Sequence, residues 1–143
     1  MSVFGAMNAS ASGMTAQTLR TDIISQNIAN VNTTRDANGN VYKRKNVVFA
    51  EKSASTFSQA FSVAKSNLAN GVKVTQIVED NSDGKMVYDP THPDANEEGY
   101  VTYPNVNIVS EMTDLIDASR AYEADVTAFN ATKAMAMKAL EIK

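Results

Sequence analysis

A chain of 143 residues, 43% hydrophobic and 20% charged, has the size and composition of one ordinary globular unit and not of a disordered, collagen-like or membrane-spanning protein. Thirteen basic residues against sixteen acidic ones leave a formal charge of -3, too balanced for an electrostatic grip on nucleic acid or an anionic bilayer. The lack of cysteine removes disulfides, thiolate nucleophiles and cysteine-ligated metals, so packing must supply the stability.

The first charged residue is Arg20 and no apolar run follows it, a pattern unlike a cleaved secretory leader. No apolar stretch approaches the roughly 20 residues that a membrane span needs. Val3, Met7, Ser10, Met14, Gln17, Thr21, Ile24, Ile28 and Val31 alternate in steps of four and three, the seam of a helix that pairs with another. Ser10, Gln17 and Thr21 interrupt that seam, and Gly5 and Gly13 each cost about 1 kcal/mol of helix propensity relative to Ala. The helix is therefore weak alone. Its apolar face widens at Leu19 and Ile23 and stops in an Asn-rich stretch, where Asn27 and Asn30 are expected to shape the exit.

Between residues 34 and 103 the pattern changes to short β-like runs. Asp36-Ala37-Asn38-Gly39, Asn70-Gly71 and Asn81-Ser82-Asp83-Gly84 are turn signals, the first of them read as a hairpin turn. Val47-Val48-Phe49, Val72-Lys73-Val74 with Ile77-Val78, and Met86-Val87-Tyr88 are expected as strands. Residues 53–70 are rich in Ser and Ala yet place Phe57, Phe61 and Leu68 on one helical face, which suits a docking helix or a loop. Lys43-Arg44-Lys45 reads as a solvated strand edge in preference to a contact with lipid head groups or an acidic neighbour.

The C-terminal run is clearer. Ile108, Met112, Leu115, Ser119, Tyr122, Val126, Phe129, Lys133, Ala136 and Leu140 keep the same alternation, and Pro104 with Asn105 or Asn107 marks the start. Glu111, Asp114 and Asp117 come early and Lys133, Lys138 and Lys143 late, the order that complements a helix dipole. From Asn107 to Lys143 such a helix is roughly 55 Å long, more than a compact domain of this size covers, so it needs a partner helix.

Few residues suggest chemistry. His92 sits among Asp89, Asp94, Glu97 and Glu98, but two prolines extend the backbone and no second histidine exists, so a solvated acidic loop is the favoured reading over a metal or acid-base site. The stretch from Asp36 to Asn40 superficially resembles a calcium loop, yet Val47 stands at the twelfth position where a glutamate is required. No phosphate cradle, nucleophile elbow or dinucleotide fingerprint occurs, so neither an enzyme nor a cofactor or metal is expected.

The expected fold class is α+β: helices in 1–33 and 104–143 pairing as a coiled coil, and a small β-hairpin-rich middle at 34–103 with 53–70 as a possible docking segment. The expected assembly interface comprises Met7, Met14, Ile24, Asn27, Ile28, Asn30 and Val31 in the first helix. Ile108, Met112, Leu115, Tyr122, Val126, Phe129 and Leu140 complete it in the second. Packing against other molecules is favoured over a purely internal core, because each seam is narrow and the C-terminal helix outruns the rest.

Ser25 with Asn27 to Thr33 spells SxNIANxxT, a motif that resembles the N-terminal signature of flagellar rod and hook proteins. The stretch from Gly99 to Leu140, opening GYVTYPNVN and continuing through ASRAYEADV and NATKAM, resembles the C-terminal segment of the same family. VYKRKNVVFAE, GVKV and YDPTHPDA agree with proximal-rod members in the middle, so the likeness to the flagellar basal-body rod family covers nearly the whole chain. It implies an axial structural subunit, exported unfolded through the flagellar type III channel on an uncleaved N-terminal signal. It also implies terminal segments that pair as a coiled coil lining the inner tube, with the β-rich middle outside. The implied partners are other rod subunits, the hook-basal-body component of the E type, the membrane ring base and copies of the chain itself; nucleic acid and small-molecule substrates are not implied. Another rod or hook-type axial subunit is the nearest alternative, and a secreted helix-binding adaptor a more distant one.

Overall fold

The computed structural model describes residues 3–36, 39–52, 61 and 71–141. Apart from Phe61, which is exposed, the segment 53–70 lies outside the described residues, as does its expected docking role. In chain order the elements are α1 (Val3–Ala29), β1 (Lys45–Glu51), β2 (Val72–Glu79), β3 (Lys85–Tyr88), β4 (Tyr100–Tyr103) and α2 (Ile108–Glu141). Two long helices and two small antiparallel sheets make an α+β fold.

α1 is helical in spite of its polar composition because the second long helix and the β1–β2 sheet pack along it, and its hydroxyls fold back on its own carbonyls. Thr15, Thr18, Thr21 and Ser25 each donate to the carbonyl four residues earlier, at 2.8–3.1 Å. A hydroxyl satisfied in this way needs no further partner where it meets another helix. The helix ends at Asn30, whose Nδ2 donates to the Gln26 carbonyl at 2.8 Å while its Oδ1 accepts from the Thr33 hydroxyl at 3.1 Å. α2 starts at an N-cap: Asn107 Oδ1 accepts from the Val109 and Ser110 amides at 3.0 and 3.4 Å.

The helices run antiparallel, since Asn27 meets Glu111 at one end and Gly13 meets Asp125 further along. Their buried residues are Gly5, Ala16, Ile23, Ile24 and Asn27 on α1, and on α2 only small or polar ones, Glu111, Ala118 and Thr132. This differs from the sequence expectation by about one position. On α2 the expected seam through Ile108, Met112, Val126 and Leu140 is displaced toward Glu111, Ala118, Asp125 and Thr132, leaving Leu115 and Phe129 half-buried at its edge. The reason is steric. The Asp125 carboxylate of α2 occupies the space that a Cβ on Gly13 would take, so the lack of a side chain there admits a polar group of α2 into the seam.

β1 and β2 pair antiparallel from Lys45↔Glu79 to Glu51↔Val72, with an irregularity between Val48 and Phe49. This sheet packs on α1, and the Val72 amide is tied to Ser12 Oγ at 2.9 Å. β3 and β4 pair from Lys85↔Tyr103 to Tyr88↔Tyr100. β4 is absent from the sequence reading, because four residues between Gly99 and Pro104 are too few for alternation to stand out. The turn from Asn81 to Gly84 links the two sheets instead of closing one hairpin. Ala37 and Asn38 of the expected hairpin turn lie outside the described residues; on either side of them the Asp36 amide donates to the Asn40 carbonyl at 2.8 Å, and no strands flank this contact among the described residues.

At Gly84 a Cβ would lie 2.1 Å from the Tyr103 carbonyl oxygen, a backbone atom of β4 that cannot rotate away. Gly84→Ala is therefore expected to splay the open end of this sheet and cost about 1–3 kcal/mol in urea unfolding.

Candidate assembly surface and its buried clamp

Asn27 is wholly buried in α1 one turn before its end. Its Nδ2 donates to the Lys45 carbonyl and to Glu111 Oε2, both at 2.9 Å, while its Oδ1 accepts from the Tyr42 hydroxyl and the Lys45 amide, also at 2.9 Å. One side-chain amide thus uses all its capacity to join α1, the start of β1 and α2. The residue was expected to form part of the helix exit and of the surface offered to neighbours. It serves instead as an internal strut, and Asn30 alone of the two makes the exit.

Glu111, 0% exposed, receives Asn27 on one oxygen and the Arg44 Nε on the other. Arg44 continues to Asp114 Oδ2 at 3.2 Å, and Arg20 reaches Asp114 Oδ1 at 3.5 Å. The Arg44 amide donates to Asn105 Oδ1 at 2.9 Å, and Asn105 Nδ2 bonds the Asp80 carbonyl at 3.1 Å. A charge is removed from water only when its partners replace that water, and here they do. Lys43-Arg44-Lys45 is accordingly no uniform solvated edge. Arg44 turns inward to the carboxylates, Lys43 bonds Asn81 Oδ1 at 2.7 Å, and Lys45 lies 5.7 Å from the centre of the Tyr42 ring.

Burial, followed by the nearby Glu111 and Glu79 carboxylates, pushes the Tyr42 phenol above its ordinary value of 10.0. The folded state thus holds this proton more tightly than the unfolded state. The stability it contributes is complete below pH 10.0 and is lost as pH rises through the higher folded value. Tyr42→Phe is expected to flatten that alkaline limb, as read from unfolding midpoints at successive pH values.

The acidic loop around His92 spends its polar groups locally. His92 Nδ1 accepts from the Asp94 amide at 3.1 Å, and Asp94 accepts from the Thr34 hydroxyl at 2.6 Å and pairs with Arg35 at 3.2 Å. The hydroxyl and then the amide of Thr91 hold the Asp89 carboxyl below its usual range. Among the described residues no cluster of His, Asp or Glu is suited to a metal ion.

The surface is the reverse of the seam. Val109 is 74% exposed and Met112 54%, and Ile108, Ile116 and Tyr122 also face outward on α2, as do Met135, Met137 and Leu140 toward its end. Of the residues expected at the interface, Ile108, Met112, Tyr122 and Leu140 are exposed, whereas Met7, Met14, Ile28, Asn30, Val31, Leu115, Val126 and Phe129 are half-buried. Ile24 and Asn27 are enclosed by their own chain and are unavailable to a neighbour, a correction that follows from their place beneath β1 and α2. Sequence reasoning missed Val109, Ile116, Met135 and Met137 on the outer surface and the clamp residues Tyr42, Arg44, Asn105, Glu111 and Asp114. The seven-residue spacing of Glu111, Ala118, Asp125 and Thr132 was the available signal.

Two family models match. Residues 7–35 fit the description "Flagella basal body rod protein", and residues 97–142 fit "Flagellar basal body rod FlgEFG protein C-terminal". The first match contains Asn27 and the second Glu111, so the clamp joins the two matched regions. The chain is similar to the flagellar basal-body rod protein FlgC of Bacillus subtilis, with 52% identity over 149 positions covering 99% of both chains. It is 42% identical to that of Borreliella burgdorferi, over 99% of this chain and 98% of the relative. For that of Salmonella typhimurium the identity is 32%, with the same two coverages of 99% and 98%.

Proposed function

Because the chain belongs to the flagellar basal-body rod protein family, we propose that it is a structural subunit of the proximal rod, holding its place by packing and transmitting torque through many shared contacts. One observation supports the reading of how it does so: the fully buried residues of α2 are small or polar, while Ile108, Val109, Met112, Ile116, Met135, Met137 and Leu140 stand exposed. Removing those side chains from water favours association at about 25 cal/mol per Å² of apolar surface. Their exposure among the described residues supports a contact with neighbouring subunits.

The finer reading follows. The antiparallel pair becomes part of a coiled coil when helices of adjacent subunits pack along Ile108, Met112, Tyr122 and Leu140, with Met7, Met14, Ile28, Val31, Leu115, Val126 and Phe129 at the margins. The paired ends 1–33 and 104–143 form the inner tube, and 34–103 lies outside it. Partners are copies of the chain, other rod subunits, the hook-basal-body component of the E type and the membrane ring base. The chain travels unfolded through the flagellar type III channel, and the clamp between Asn27 and Glu111 closes after passage. Repeated heterologous contacts then generate a helical stack.

Deletion of the chain tests the role. Cells without it are expected to lack a rod above the membrane ring and to be non-motile, with both restored by expressing it. Complete rods in the deleted strain overturn the reading.

A further inference from the structure

We propose that the buried clamp is a register device: it decides how far α2 is slid along α1, a choice that the rest of the seam leaves open by whole heptads. The inference concerns the folded chain and stands apart from the rod-subunit reading.

Among the described residues α2 packs on α1 and on no other element, whereas α1 also carries the β1–β2 sheet. The strands β3 and β4 pack on neither helix among those residues, and the loop between them reaches the exit of α1 through Asp94 with Thr34 and Arg35. The alignment of α2 therefore rests on the side chains along the seam and at its ends.

The middle of that seam tolerates sliding. A cavity of about 580 Å³ opens beside it, lined chiefly by small residues, Ala9, Gly13 and Ala16 of α1 and Ala121 and Ala124 of α2. Side chains this short form no ridges that lock into one set of grooves. On α2 the inward positions Glu111, Ala118, Asp125 and Thr132 repeat every seven residues. A shift of one heptad, about 10 Å, sets Thr132 against Gly13 with no large side chain in the way.

The clamp opposes the same shift. Ala118 would stand where Glu111 stands, leaving Asn27 Nδ2 and Arg44 Nε without their carboxylate, and Ala121 would replace Asp114 opposite Arg20 and Arg44. Asn27 cannot turn elsewhere, because the Lys45 backbone and the Tyr42 hydroxyl hold its other three positions. Buried polar groups satisfied in one alignment alone are a means by which paired helices select a register.

Cysteine pairs read the alignment, since the chain has no cysteine of its own. Asp125 Cγ lies 2.9 Å from the Cβ position of Gly13, so Gly13→Cys with Asp125→Cys joins in the native register. Gly13→Cys with Thr132→Cys joins only after a slide of one heptad. Each pair is equilibrated in a glutathione redox buffer in three full-length backgrounds: the unaltered clamp, Glu111→Ala, and Glu111→Ala with Ala118→Glu, which moves the carboxylate one heptad along. The native pair is expected to dominate in the first. In the third the ratio of slid to native linkage is expected to rise by about tenfold or more, with Glu111→Ala between the two. Gly13→Cys with Thr127→Cys, on another face of α2, reports general loosening. A native pair that still dominates when the carboxylate has moved overturns the inference. So does a rise that the Thr127 pair shares, because it marks unfolding in place of sliding.

Discussion

Glu111→Ala is expected to lower the thermal midpoint of the isolated protein by roughly 10 °C, from a loss of about 3 kcal/mol. The substitution leaves one of the two Asn27 amide hydrogens without its acceptor, the other still meeting the Lys45 carbonyl, and Arg44 facing its remaining carboxylate, Asp114, from a site only 24% exposed. Breaking one member of a buried ion pair costs about 3–5 kcal/mol, and the partial exposure of Arg44 argues for the low end. Glu111→Gln retains one acceptor oxygen but loses the charge and turns the other oxygen into an NH2 that faces a donor, Asn27 or Arg44, so a smaller loss than that of the alanine variant is expected. Thermal unfolding followed by helical circular dichroism reads both; a shift below 2 °C for the alanine variant contradicts the clamp.

Met112→Asp should do the opposite. Its side chain is already in water, so the isolated protein is expected to unfold within about 0.5 kcal/mol of wild type. In the assembled rod the same carboxylate is taken into an apolar contact without a partner, which costs several kcal/mol at each copy. Cells carrying the variant are expected to lose swimming by more than tenfold and to yield basal bodies without a complete rod. Val126→Asp is a less clean probe, because Val126 is half-buried against its own chain and mixes folding with assembly. Normal motility with Met112→Asp contradicts the assignment of this face.

Much of the architecture is legible in the sequence because helices announce themselves over long windows. The alternation across the C-terminal run, with acids before bases, places the start of α2 to within about four residues, and of Pro104, Asn105 and Asn107 it is Asn107 that caps it. Strands at Val47, Val72 and Met86 follow from short apolar runs between turn residues, whereas β4 is too brief to register. What the pattern does not reveal is which face of each helix turns inward. Apolar periodicity identifies an interface without saying whose. Here the chain spends Gly13, Ala16 and Ala118 on itself and keeps Val109, Met112 and Ile116 for outside. A reading that expects large residues inside is thereby shifted by one position.

The clamp was hidden for a different reason. Asn27, Arg44 and Glu111 are far apart in the chain, and each has a local explanation: a helix-exit amide, a basic edge and a dipole-favouring acid. Only the fold brings them within hydrogen-bond distance. Their separate local roles gave no hint of the long-range bonds that use them.

Labelling of a single cysteine at Val109 is the most direct measure of whether the outer face of α2 is covered by assembly. The Val109→Cys protein is expected to react with a maleimide at the rate of an exposed thiol when isolated, and at least tenfold more slowly within purified basal bodies. Equal rates in the two states would contradict the account.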